Sequence, residues 1–201
     1  MIVIIDYGMG NIHSVKKALE LYGAEVKVTN SPVEIVSAEK IVLPGVGAFD
    51  DAMLELQRLG LDSVIKQEVK LGKLFLGICL GMQLLFQNSA EASKCKGLGI
   101  VKGEVKKFTG EAQKVPHMGW NQLKDVKSDC PLLNGIDQDA FVYFCHSYYP
   151  DPSDKSINAA TCDYGVKFSS AIWQNNVFGV QFHPEKSQSV GLKILENFVK
   201  T

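Results

Sequence analysis

The sequence predicts an α/β layered sandwich: one domain over residues 1–201, with a mostly parallel central sheet, antiparallel additions in its second half and helices on both faces. Three observations carry this expectation. Short β-branched apolar runs alternate with helical spacing through the first half. From about residue 97 strand signals instead follow one another across turns. The length of 201 residues, 46% of them hydrophobic, is enough for one sizeable core and short for two.

Ile2-Val3-Ile4-Ile5 reads as a buried strand, and Ile12, Val15, Leu19 and Tyr22 then fall at helical spacing before the strand Val26-Lys27-Val28. Ser31-Pro32-Val33-Glu34 has the form of a capping box with proline at the first helical position. Ile41-Val42-Leu43 gives the next strand. Phe49, Ala52, Met53 and Leu56 share one helical face, a second helix is expected near Leu61–Leu71, and Leu74-Phe75-Leu76-Gly77-Ile78 is a buried strand ahead of an apolar helical run, Leu84-Leu85-Phe86. Later strands are expected over Gly99–Phe108, Phe141–Tyr148, Phe168–Trp173 and Val177–Phe182. A last helix is marked by Ile194, Leu195 and Phe198, and Asp151-Pro152-Ser153-Asp154 reads as a loop.

Composition excludes several function classes. A formal net charge of −1 gives no uniformly basic surface for nucleic acid or anionic membranes. No apolar run approaches the roughly 18 residues of a membrane span, and Met1–Asp6 has no basic leader, so a cytoplasmic protein is expected. The five cysteines, at 79, 95, 130, 145 and 162, have no CxxC pair and no metal-ligand spacing, which points to no metal site and, for four of them, to plain reduced thiols. Arg58 is the only arginine and lies in a helical stretch. Any bidentate clamp on a carboxylate must use it, so anion recognition otherwise falls to backbone N–H groups, lysines or a partner.

Gly77-Ile78-Cys79-Leu80-Gly81-Met82-Gln83 parallels a nucleophile elbow, in which flanking glycines let the chain turn sharply and present a reactive side chain at the top of a sheet. A helix N-terminus there would favour a thiolate and supply N–H groups to an oxyanion. The competing reading is a small buried hydrophobe between turn glycines. His183-Pro184-Glu185 ends a strand; proline keeps His183 extended, so residues 183 and 185 point to similar sides and the carboxylate can fix the imidazole tautomer. Alone, this could be a strand that stops at a proline with both side chains solvated.

Pro44-Gly45-Val46-Gly47 joins a strand to a helix and could bring an N–H donor to an oxyanion, or be no more than a turn. Asp6–His13 lacks the third glycine of a dinucleotide loop, which rejects that cofactor. Tyr143–Tyr148 alternates like a half-buried strand whose end could carry His146 and Ser147 into a pocket. Pro116-His117-Met118-Gly119-Trp120-Asn121 suits a protein contact surface, with core packing of Trp120 as the alternative.

Gly77–Gln83, His183-Pro184-Glu185 and Pro44–Gly47 together resemble the triad-type, class I glutamine amidotransferases. Asp6–Asn11, Pro116–Asn121, Tyr143–Tyr148 and His183–Ser187 narrow the likeness to the glutaminase subunits of imidazole glycerol phosphate synthases in histidine biosynthesis, over essentially the whole chain. The resemblance implies Cys79 as nucleophile, His183 as proton carrier and Glu185 as its orienter, with a thioester intermediate and no cofactor or metal. It implies a glutamine pocket of Gly47, Gln83, His146, Ser147 and Tyr148, and an oxyanion site from Leu80 with Gly45 or Val46 after a peptide rearrangement. It further implies a heterodimer with a (βα)8-barrel synthase that receives the ammonia, with Asn11, Trp120 and Lys186 facing that partner. Cys145 departs from the family pattern, which often has an aliphatic residue there. Rival readings are a paralogue serving another acceptor such as a nucleotide-linked sugar, a cysteine-elbow peptidase, and a catalytically silent regulatory subunit.

Overall fold

The structure is a computed structural model that describes residues 1–109 and 114–201. Its centre is a seven-stranded sheet built from β1 (Ile2–Ile5), β2 (Val26–Thr29), β3 (Lys40–Gly45), β4 (Leu74–Cys79), β10 (Asn158–Asp163), β11 (Lys167–Gln174) and β12 (Val177–Val180). The strand order is β10-β11-β12-β4-β3-β1-β2. Pairing is parallel from β12 through β4, β3 and β1 to β2, and antiparallel at β10-β11 and β11-β12. Antiparallel additions in the second half are thus what the sheet shows.

Alternation along the strands sends side chains to two cores. Ile2, Ile4, Val42, Leu76 and Ile78 pack on one face against α1 (Ile12–Glu20) and α6 (Gln188–Lys200). Val3, Ile5, Ile41, Leu43 and Phe75 pack on the other against α2 (Pro32–Ser37), α3 (Phe49–Arg58) and α4 (Leu61–Lys70). A parallel sheet covered on both faces needs near-continuous apolar strands, which is why β1 is buried at all four positions. Among the described residues no helix is long and apolar enough to cross a membrane.

Several expectations require correction. Ser31 stands at the N-cap of α2 without a side-chain cap bond, and the reciprocal half of the box is not made either, since Ser31 N donates to Thr29 Oγ1 at 2.9 Å while Glu34 pairs with Lys27 Nζ at 2.7 Å. The run Leu84-Leu85-Phe86 is not helical; the helix after β4 is the single turn α5 (Leu80–Gln83). The expected strand Gly99–Phe108 is confined to β6 (Gly103–Lys107), and β12 stops at Val180, two residues early.

Phe141–Tyr148 splits at Ser147 into β8 (Phe141–His146) and β9 (Tyr148–Pro152), so Asp151-Pro152 is strand rather than loop. Its prolines, Pro150 and Pro152, are tolerated because β9 is an edge strand of the small sheet ordered β5 (Asn88–Ser89), β6, β9. β8 pairs antiparallel with β7 (His117–Gln122), a strand with no clear alternation in the sequence, in a register that sets His117 opposite His146 and Trp120 opposite Tyr143.

Candidate functional site

β3, β4 and β12 are adjacent parallel strands, so their C-terminal ends bring Pro44–Gly47, Cys79 and Gln181–Glu185 to one end of the sheet. Crevices at such ends are where open α/β sheets bind ligands. A cavity of about 300 Å³ opens there, lined by Cys79, His183, Gly47, Gln83, His146, Ser147 and Tyr148, with Val46 and Leu80 beside them. Every residue expected to bind substrate therefore reaches one cavity.

Cys79 has φ 54° and ψ −110°, a left-handed conformation for a residue that carries a Cβ. Such strain persists only where the surroundings enforce it. The flanking glycines enforce it by close approach: a Cβ on Gly77 would lie 2.6 Å from the Gly81 carbonyl oxygen, and one on Gly81 would lie 1.8 Å from that of Leu43. Because α5 is one turn long, the expected help from a helix dipole reduces to local N–H groups such as that of Leu80.

His183 is extended, at φ −97° and ψ 97°. Its Nδ1 lies 2.9 Å from Glu185 Oε1, and the two side chains are 4% and 1% exposed. The expected route to this pairing needs correction: Pro184–Lys186 form a 3-10 turn, and this curl, rather than a continuing extended strand, returns the carboxylate to the ring. Two bonds pin the turn to β8, His183 N donating to Tyr143 O at 2.9 Å and Ser187 Oγ accepting from Tyr143 N at 2.9 Å, while Ser187 Oγ donates to His183 O at 2.6 Å within the turn. Burial by itself would lower the His183 pKa, but the hydrogen bonds to Cys79 and Glu185 outweigh it and raise the value to about 10. Those bonds favour the protonated ring, with Nδ1 facing the Glu185 carboxylate.

Tyr7 OH donates to Pro44 O at 2.9 Å and fixes the strand that ends in Gly45 and Val46. Burial, and then the neighbouring Cys79, push the Tyr7 phenol well above its ordinary pKa, so it stays a donor. Gly45 is buried and packed so closely that a Cβ would meet Tyr7 Oη at 2.6 Å, whereas Val46 is 41% exposed. Asn11, expected on the partner side, is partly buried and places Nδ2 3.4 Å from Glu185 Oε1. Lys186 lines the cavity rim and lies 6.0 Å from the Tyr143 ring, while Trp120 is 46% exposed beside the same ring. Arg58 takes no part; it clamps Glu55 on the surface of α3.

Sequence reasoning missed three polar residues here. Gln181 is fully buried, with Nε2 3.6 Å from Cys79 Sγ; an amide inside the apolar run Val180–Phe182 was its only sign. His117 bonds His146 at 2.9 Å and is buried rather than part of an exposed contact surface. Glu91 is, among the described residues, the one carboxylate lining the cavity, and its Oε2 accepts from Phe49 N at 3.1 Å. Burial raises the Glu91 pKa, opposed by that N–H. Nothing in the local sequence pointed to it.

A cysteine, a histidine steadied by a carboxylate, and adjacent backbone N–H groups can carry out acyl transfer at a carbonyl. The description "Glutamine amidotransferase class-I" matches residues 3–201 of the chain. Imidazole glycerol phosphate synthase subunit HisH of Syntrophotalea carbinolica is 52% identical, covering 98% of each chain. The subunit of the same name from Geobacter sulfurreducens is also 52% identical, over 98% of this chain and 97% of its own. Among solved structures, a glutamine amidotransferase superposes with a TM-score of 0.76 at 17% identity over 99% of both chains. A PurLQS structure from Thermotoga maritima gives 0.74 at 20% identity, over 99% of this chain and 97% of that one. At these identities the structural likeness establishes the fold.

Proposed function

From the premise that the chain belongs to the class I glutamine amidotransferases, we propose that it is the glutaminase subunit of an imidazole glycerol phosphate synthase in histidine biosynthesis. The full-length likeness to subunits of that name supports this reading. The observation that carries the chemistry is the meeting of Cys79, His183 and Glu185 at the cavity beside Pro44–Gly47.

With its proton held on His183, Cys79 Sγ attacks the side-chain carbonyl of glutamine as a thiolate, and the C=O electrons move onto oxygen, where the Leu80 N–H and an N–H from Gly45 or Val46 receive the charge. His183, protonated and held through Nδ1 by Glu185, gives its Nε2 proton to the departing nitrogen, leaving a thioester. The neutral ring then takes a proton from water as it attacks, sulfur leaves, and glutamate forms. No cofactor is needed. Gly47, Gln83, His146, Ser147 and Tyr148 hold the substrate, with Glu91 as the acceptor for its α-ammonium group.

Ammonia passes to a synthase subunit, for which we propose a (βα)8-barrel in a cytoplasmic heterodimer with this chain, residues 1–201 forming one glutaminase domain. Asn11, Trp120 and Lys186 are the residues proposed to face it, with Trp120 and Lys186 exposed and Lys186 lining the cavity. The test is glutamate production by the purified complex with and without acceptor, together with labelling by a glutamine-analogue alkylator. Label on Cys79 and not Cys145, with hydrolysis lost in Cys79→Ala, is expected. Hydrolysis unchanged in Cys79→Ala would sink the mechanism, and ammonia transfer only to some other acceptor would move the chain to a paralogous pathway.

A further inference from the structure

Gln181 lies outside the triad, yet its amide reaches the nucleophilic sulfur. β12 leaves the sheet at Val180, and Gln181 N donates to Ser170 O at 2.8 Å, which holds the residue against β11. The side chain is fully buried and its amide nitrogen is 3.6 Å from Cys79 Sγ.

The direction of that contact follows from its neighbours. Tyr148 O is a backbone carbonyl and can only accept, so Gln83, 2.9 Å away, must present Nε2 to it. The same Nε2 lies 3.0 Å from Gln181 and spends its second hydrogen there, which requires Gln181 to answer with Oε1. The Gln181 NH2 therefore faces the sulfur. A flipped amide would set NH2 against NH2 and an oxygen against a thiolate.

A second chain of bonds steadies the same carbonyl. His146 Nδ1 donates to Tyr148 O at 2.8 Å, so its Nε2 is bare and accepts from His117 Nδ1 at 2.9 Å. His117 Nε2 in turn accepts from Asn121 Nδ2 at 3.2 Å. Burial lowers the pKa of His146 to about 3 and of His117 to about 4, so both rings stay neutral and keep these tautomers at neutral pH. From Asn121 to Cys79 the bonds are consistent with one set of amide orientations and histidine tautomers.

We infer that Gln181 is a further catalytic residue, whose side-chain N–H, locked by Gln83, stabilises the Cys79 sulfur as a thiolate. A hydrogen bond to the ionised form favours that form, and it favours sulfur again when the thiolate leaves the thioester. The titratable groups coupled to the sulfur are His183, with Glu185 on the turn after β12, and Tyr7 after β1, while His146, Glu91 and Lys186 line the same cavity. The inference rests on Cys79 being the nucleophile.

The experiment is iodoacetamide alkylation of the full chain as a function of pH, read separately at Cys79 and Cys145 by peptide mass mapping. Gln181→Met removes the donor at nearly constant shape, and Gln181→Glu keeps an acceptor for Gln83 while turning an acceptor toward sulfur. Hydrogen bonds to charged groups are strong enough that loss of this one should slow Cys79 alkylation near neutral pH by about tenfold or more and move its midpoint upward. Gln181→Glu should move it further, and Cys145 should react as before in both. A midpoint unchanged in a folded variant overturns the inference. A measurement on the unsubstituted protein covers the case in which neither variant folds: the Gln181 side-chain amide resonances must shift as Cys79 titrates, and resonances that stay in place overturn it equally. Loss of glutamine hydrolysis in Cys79→Ala with unaltered Gln181 variants would remove Gln181 alone, whereas retained hydrolysis in Cys79→Ala removes the nucleophile itself.

Discussion

Gly81→Ala is expected to damage both the fold and the site, for a reason that is steric rather than conformational. Gly81 lies inside α5 and is absent from the left-handed glycines, so alanine suits its backbone. The added Cβ, however, would sit 1.8 Å from Leu43 O, where real contacts essentially never fall below 3.0 Å. The obstacle is a strand carbonyl with no flexible end to yield, so α5 and β3 must part by more than an ångström. Overpacking costs typically 1–3 kcal/mol, and a rigid backbone obstacle places this case at about 3 kcal/mol or more. For a chain of this size that is a fall in melting temperature of about 6–12 °C.

The same displacement moves Cys79 and the Leu80 N–H away from Gly45, and misplacement by an ångström can cost about 100-fold in kcat. Gly72→Ala is the control. Gly72 has φ +95° with nothing within 4 Å of the place a methyl group would take, so it incurs only a backbone penalty of about 1–2 kcal/mol and leaves kcat intact. Thermal melts and glutaminase assays of the complex read both variants. A Gly81→Ala protein melting within about 2 °C of the parent, at parental kcat, would refute the argument that close approach dictates this glycine.

Glu185→Gln should lower kcat and alter the pH dependence of stability. A histidine whose folded pKa is about 10 stabilises the fold fully below its unfolded value, near pH 6.5, and that contribution fades as pH rises through about 10. Urea midpoints between neutral pH and pH 10 should therefore fall more for the parent than for Glu185→Gln, and parallel curves would contradict this. Tyr7→Phe leaves the buried Pro44 carbonyl without its donor and should cost about 1–3 kcal/mol in denaturant unfolding, with a lower kcat from the loosened strand. Glu91→Gln removes the cavity carboxylate and should raise KM for glutamine about tenfold at similar kcat, so an unchanged KM removes Glu91 from substrate recognition.

The sequence by itself determined the α/β layering, because a parallel sheet covered on both faces demands apolar strands and one-sided helices, and both patterns are local. It also marked Cys79, since the glycines needed for a sharp turn flank it in the chain, and it marked His183 and Glu185 as neighbours. It could not fix the capping of α2, where Glu34 pairs with Lys27 from β2, nor the extent of β9, whose prolines are allowed only by its edge position. Tertiary structure alone decided that the ends of β3, β4 and β12 adjoin, and that the 3-10 turn after His183 folds Glu185 back onto the ring. It alone brought in Glu91, His117 and Gln181. Each is a polar side chain whose role is set by a partner 29 to 102 residues away, and a hydrogen bond between distant segments has direction and distance that no local pattern of residues encodes.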